Sequence, residues 1–215
     1  MNKLVVFDLD GTLIDSVPDI THCLNATLDH FGYAPCNDFE VSQMIGNGAR
    51  NLVKDAVKCQ LSDQKIDEIL DYYTAVYTAC DNQKTKVYPQ MEQTLLELKK
   101  RGYGLAIFTN KPQGATENVY KTYFKQFEFL KVVGISPDVK RKPDPSVLFS
   151  MMKEFGVLPE NLYFVGDGEA DVLVAQNAGV NGISVLYGYR TKEQLSLVGA
   201  KTFVNNALEL LEIIV

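Results

Sequence analysis

The chain has 215 residues, 46% of them hydrophobic, with a formal net charge of −6. That length and apolar content fit one domain, or a domain with a modest insertion, and exclude global disorder. The acidic balance argues against nucleic acid or an anionic membrane as the main partner, because no large basic field offsets phosphate repulsion.

Taken in chain order, the N-terminal "MNKLVVFDLD" meets an acid after four apolar residues. That is too short for the apolar region of a signal peptide. No later run approaches the roughly 18 residues of a membrane span, so a soluble, cytoplasmic protein is expected. Val5, Val6 and Phe7 read as the end of a buried strand, and Asp8, Asp10 and Gly11 follow where it stops. The stretch from 16 to 84 then contains no convincing strand. "SVPD" reads as a capping box, with Ser16 as N-cap, Pro18 in the first turn and Asp19 reaching back. Helical patterns continue through "ITHCLNATLDHFG", "EVSQMIGNGARNLVKDAVKC" and "SDQKIDEILDYYTAVYTAC". A crossover between parallel strands needs about a dozen residues, and this stretch far exceeds it. A helical bundle inserted after the first strand, resting over that strand's C-terminal end as a lid, is the economical reading.

All four cysteines (Cys23, Cys36, Cys59 and Cys80) lie in this segment, and none forms a CxxC pair. With His22 and His30 as the only histidines, the spacing suits free structural thiols better than zinc or a disulfide framework. Their clustering suggests that the segment packs as its own unit.

From residue 86 the pattern changes. Met91, Leu95 and Leu98 mark a helix, then "GLAIF", "KVVGI", "LYFVG", "GISVL" and "KTFV" read as strands. Between the strands lie "GATENVYKTYF", "PSVLFSMMKEFG" and "EADVLVAQNAG", helical in period or length, two of them closing on glycine. Short apolar strands alternating with helices predict an α/β fold: a Rossmann-like parallel sheet with helices on both faces. The expected division is a core of residues 1–15 and 85–215 with a helical cap at 16–84.

Ligands of open α/β sheets bind beyond the carboxyl ends of the strands. At those ends stand Asp8 and Asp10, Thr109 and Asn110 after "LAIF", Lys142 in "KRKPDP", and Asp167 with Asp171 in "VGDGEAD". Two like charges at about 4 Å repel by roughly 4 kcal/mol at an effective dielectric near 20. Several converging carboxylates therefore call for a cation, and a hard oxygen-ligated one that leaves room for water and phosphate suits Mg²⁺. Both histidines fall in the inserted segment, so a carboxylate must supply the nucleophile and a second the acid–base work. Phosphoryl transfer fits, with Asp8 as nucleophile and Asp10 as proton donor, then acceptor. A DxDG turn, a GD turn or a lone lysine is ordinary by itself; their joint occurrence in order, each at a strand end, is not.

"FDLDGTL", "TN", "KPDP" and "GDGEAD", in this order, resemble the four motifs of the haloacid dehalogenase-like hydrolase superfamily, over the whole chain and with a cap at the same place. The resemblance implies that Asp8 forms an aspartyl-phosphate while Asp10 protonates the leaving alcohol and later activates water. It implies that Thr109 and Asn110 hold the transferring phosphoryl group and that Lys142 pairs with it and with Asp8. Mg²⁺ would bind the Asp8 carboxylate, the Asp10 backbone carbonyl and Asp167, with Asp171 a ligand or a support for one. Two departures are Gly168, where relatives usually carry serine or threonine, and Gln90, where they often carry glycine.

The acid at Asp10 speaks against the dehalogenase and phosphonatase branches. Sugar phosphomutases of the family carry a cap histidine at the position of Ile20, and His22 lies two residues away, which favours hydrolysis. "IGNGARNLV", "VYP" and "YGYRTKEQL" resemble phosphoglycolate phosphatases. The expected reaction is Mg²⁺-dependent hydrolysis of a small phosphorylated metabolite, 2-phosphoglycolate first. A β-phosphoglucomutase-like isomerase, a pyrophosphatase and a broad sugar or nucleotide phosphatase are the alternatives. A carboxylate-bearing substrate wants a cation from the lid, and Arg50 is the candidate, with Arg190 on the core side as the other.

Overall fold

The computed structural model describes residues 2–215. Among them, β1 (Leu4–Phe7), β4 (Gly104–Pro112), β5 (Lys131–Ile135), β6 (Leu162–Gly166), β7 (Asn181–Val185) and β8 (Phe203–Val204) form one parallel sheet. Its order is β5-β4-β1-β6-β7-β8. Every β1 residue is fully buried because both faces of the sheet are covered: Val5 and Phe7 join one core cluster, Leu4 and Val6 the other. That two-residue alternation is what strand geometry requires. Each such side chain contributes about 1.5–3 kcal/mol.

Strand order reverses at β1, which pairs with β4 on one side and β6 on the other. The C-terminal end of β1 is therefore the switch point at which a crevice opens, and Asp8 is its next residue. Around the sheet lie α5 (Met91–Lys100), α6 (Gln113–Val119), α7 (Ser146–Phe155), α8 (Glu169–Ala178) and α9 (Lys192–Leu197). Gly156 and Gly179 end α7 and α8 with left-handed caps (φ +65° and +68°), the conformation glycine adopts most readily. The segment after α6 leaves regular α-helix at Tyr120–Phe124, which is a π-turn.

The inserted segment holds α1 (Val17–His30), α2 (Asp38–Met44), α3 (Ala49–Ala56) and α4 (Asp63–Thr78). Leu24, Leu28, Val41, Val53, Ile69 and their neighbours bury a separate core. Two short antiparallel strands, β2 (Ile14–Asp15) and β3 (Lys86–Val87), pair where the chain leaves and re-enters the sheet domain, a feature too short to read from periodicity. The pattern read as continuous through residues 40–59 is broken: Gly46 (φ +112°) and Gly48 (φ +84°) make a loop between α2 and α3. The SVPD capping box is also absent. The Ser16 side chain makes no cap bond and instead donates to Asp10 Oδ1 at 2.6 Å. Among the described residues no helix is long and apolar enough to cross a membrane.

Candidate active site

A cleft between the sheet edge and the helical segment leaves about 60 Å³ of free volume. Asp8, Asp10, Thr109, Asn110, Asp167 and Asp171 all line it. They come in pairs from three neighbouring strands: Asp8 and Asp10 follow β1, Thr109 and Asn110 lie in β4, and Asp167 and Asp171 stand just after β6 and in the first turn of α8, so sheet register sets their spacing.

One oxygen from each of Asp8, Asp167 and Asp171 lies within 4.8 Å of the others, and all three residues are buried. Lys142 Nζ stands 2.8 Å from Asp8 Oδ1 and 2.6 Å from Asp171 Oδ1. Lys142 is thus shared between the two carboxylates. Burial, then the charge of Asp171, pushes the Asp8 carboxyl up to about 7 against the pull of Lys142. Burial first, then Asp171 and Asp8, holds Asp167 well above the usual carboxylate range. Burial works against the charge on Lys142, yet Asp171 and Asp8 more than offset it and raise that ammonium. One lysine does not neutralise three carboxylates. Three buried carboxylate oxygens within 4.8 Å, an oxygen-only donor set, fit a small hard cation such as Mg²⁺.

The carboxylates are not equivalent. Asp171 engages both oxygens within the protein, Oδ1 with Lys142 and Oδ2 with the Gly168 N–H at 2.9 Å. It thereby holds Lys142 against the start of α8. Asp167 accepts from the Tyr189 N–H at 2.8 Å and from the Thr12 hydroxyl at 3.2 Å. A Cβ at Gly11 or Gly188 would collide with Asp167, so both glycines permit a backbone approach no other residue allows. At Gly168 a Cβ would meet Asp171 Oδ2 at 3.4 Å, a tight but not overlapping approach, and the departure leaves the carboxylates of Asp167 and Asp171 in place.

Asp10 points its carboxylate into a different set of donors. Ser16 Oγ and Lys111 Nζ both donate to Oδ1, at 2.6 and 2.7 Å. Lys111 also donates to the hydroxyl of Tyr77 on α4. Burial, then the charge of Asp10, raises the Tyr77 phenol well above its ordinary value, so it stays protonated. Lys111 was not legible as functional, since a single lysine after "TN" reads as a solvated side chain, and only the long-range contact to Asp10 distinguishes it.

Arg50 does not line the cleft: its guanidinium pairs with Asp63 at 2.9 Å and Asp67 at 3.3 Å on the outer face of the helical segment. The side chain of Asn110 brackets Lys142, accepting from its N–H at 2.8 Å and donating to its carbonyl at 3.2 Å. A third bond runs from Asn110 to the Gly46 carbonyl at 2.9 Å. Arg190 does reach the cleft, but its guanidinium is occupied with Glu169 and with the carbonyls of Ser42, Gln43 and Ile45. Ile20 lines the cleft and His22 is exposed.

A family model for haloacid dehalogenase-like hydrolases matches residues 5–185, and the chain belongs to that family. It is phosphoglycolate phosphatase-like in detail. It is 36% identical over 214 residues to Phosphoglycolate phosphatase 1 of Pseudomonas aeruginosa, covering 97% of this chain and 78% of that protein. With a Phosphoglycolate phosphatase of Vibrio parahaemolyticus it shares 30% identity over 218 residues, covering 99% of this chain and 96% of the other. A crystal structure from Haemophilus somnus, described as a predicted phosphoglycolate phosphatase, superposes with a TM-score of 0.89 at 27% identity, covering 99% and 97%.

Proposed function

We propose that this chain is a Mg²⁺-dependent phosphatase that hydrolyses a small phosphate monoester, 2-phosphoglycolate first, through an aspartyl-phosphate on Asp8. The observation that carries the reading is the convergence of Asp8, Asp167 and Asp171 within 4.8 Å, with Lys142 against two of them, at the switch point of the sheet.

In this reading Asp8 supplies the attacking oxygen, and Lys142 fixes that carboxylate and meets the charge on the transferring group. Asp8 and Asp167, with the Asp10 backbone carbonyl, hold the metal, and Asp171 keeps Lys142 in place. Mg²⁺ bound there would offset the negative charge of the acids and of the phosphoryl oxygens. Asp10, anchored through Oδ1, gives a proton to the leaving alcohol and later takes one from water. Thr109, buried in β4 where its register with β5 shifts after Phe108, turns its hydroxyl to the phosphoryl group. Residues 16–84 act as a lid that excludes bulk water and limits substrate size, consistent with the small free volume beneath them.

The apolar Ile20 in the cleft and the exposed His22 favour hydrolysis over a mutase. The test is phosphate release with Mg²⁺ across 2-phosphoglycolate, a sugar phosphate, a nucleoside monophosphate and pyrophosphate, run beside Asp8→Asn. Turnover should fall by at least about 10⁴-fold in the variant with the fold intact; undiminished activity would refute the mechanism.

A further inference from the structure

If Arg50 is turned outward, a carboxylate-bearing substrate must find its cation elsewhere. Two basic side chains line the cleft, Lys111 and Arg190. Arg190 is occupied by Glu169 and three cap carbonyls. Lys111 is different. Its side chain is 1% exposed, yet two contacts, to Asp10 Oδ1 and the Tyr77 hydroxyl, account for only two of its three N–H bonds. Tyr77 receives one of them on its oxygen, and its own O–H has no acceptor among the described residues. Two donors thus stand side by side at the inner wall, one from the sheet domain and one from the cap.

We infer that Lys111 and Tyr77 together form the subsite for the carboxylate of the substrate, so that the enzyme selects short phosphorylated hydroxy acids. The inference rests on the phosphatase reading and assigns specificity within it. Length enters through the 2.7 Å between Lys111 Nζ and Asp10 Oδ1. An ester oxygen that receives its proton from Asp10 is already beside Lys111, so the carboxylate must follow within one or two carbons. A sugar phosphate would carry bulk into that wall and leave the ammonium unmatched. Because Tyr77 belongs to the cap and Lys111 to β4, the carboxylate would bind fully only when the cap is closed, which couples recognition to closure.

The test compares 2-phosphoglycolate with ethyl phosphate, a similar ester without the carboxylate, both with Mg²⁺. Wild-type protein should favour 2-phosphoglycolate by well over tenfold in kcat/KM. Lys111→Met should collapse that ratio by roughly 30-fold, the loss expected for a charge-assisted hydrogen bond, mostly as a higher KM. Lys111→Arg should recover part of it, and Tyr77→Phe should cost roughly fivefold. If Lys111→Met is not folded by circular dichroism, Lys111→Gln and Tyr77→Phe make the same comparison. Equal losses on both esters, with the ratio intact, would mean that Lys111 acts only by holding Asp10 and would overturn the assignment. A wild type indifferent to the carboxylate would overturn it while leaving the phosphatase standing. Phosphate release from neither ester, nor from any of the panel above, would remove the phosphatase reading and the subsite with it.

Discussion

Asp19 on the first cap helix ties down Thr85 on the returning chain. Its Oδ2 accepts the Thr85 N–H at 2.6 Å, the Thr85 hydroxyl at 2.7 Å and the Lys84 N–H at 3.1 Å. The carboxylate is buried, so these bonds are shielded from competing water. Just beyond, β2 and β3 pair the outgoing and returning strands directly. The two connections between cap and core are therefore tied to each other as well as to the cap. At the opposite end the contacts are few side chains reaching cap carbonyls: Arg190 to residues 42–45, Asn110 to Gly46 and Arg141 to Asn47.

Arg190→Met tests that far end as a latch. It leaves the Ser42, Gln43 and Ile45 carbonyls without their donor, at about 1–3 kcal/mol for each one that stays buried, a cost that opening relieves. Amide exchange across residues 42–47 should quicken, and KM for 2-phosphoglycolate should rise about tenfold while kcat changes less. Unchanged exchange and KM would show that the cap is held by other contacts.

Stability of the metal-free protein should fall as pH rises from about 4 to 7. The Asp8 carboxyl is raised from 3.8 to about 7 in the fold, and Asp167 is raised as well. Between these values the folded chain holds protons that the unfolded chain has lost, so each upward step in pH favours unfolding. Asp8 alone accounts for a loss on the order of 4 kcal/mol once pH is above 7. Thermal melts in a chelator at pH 5 and pH 8 measure it, and Mg²⁺ should restore most of the loss at pH 8. A melting temperature that rises with pH in chelator would contradict the crowding of these acids.

Gln90→Gly should stabilise the protein by about 0.5–1 kcal/mol. Gln90 sits at φ +66°, ψ −2°, immediately before α5, and is exposed. A side chain there carries a left-handed penalty of about 1–2 kcal/mol, partly offset by the extra freedom glycine has when unfolded. Denaturant melts decide the sign, and no change in activity is expected.

Arg50→Ala should leave KM for 2-phosphoglycolate within about twofold and cost less than 1 kcal/mol, the usual worth of exposed ion pairs. Its partners Asp63 and Asp67 are 96% and 58% exposed. A large rise in KM would mean that the arginine swings inward during turnover.

Much of this protein is written locally. The apolar run of β1 followed by Asp8 and Asp10, the strand at 131–135, the glycine stops of α7 and α8, and the acids of "GDGEAD" all depend on neighbours in sequence, and periodicity and turn chemistry expose them. The identity of the acidic cluster followed because a parallel sheet brings strand ends together in a known way. What the residues do with their side chains was decided elsewhere. Ser16 turned from a helix cap to Asp10, Arg50 turned outward to Asp63, and Lys111 acquired meaning from Asp10 and Tyr77, which are 101 and 34 residues away. A lysine or arginine has a long flexible stem and finds its partner by proximity after folding, and proximity between the cap and the sheet exists only in the tertiary structure.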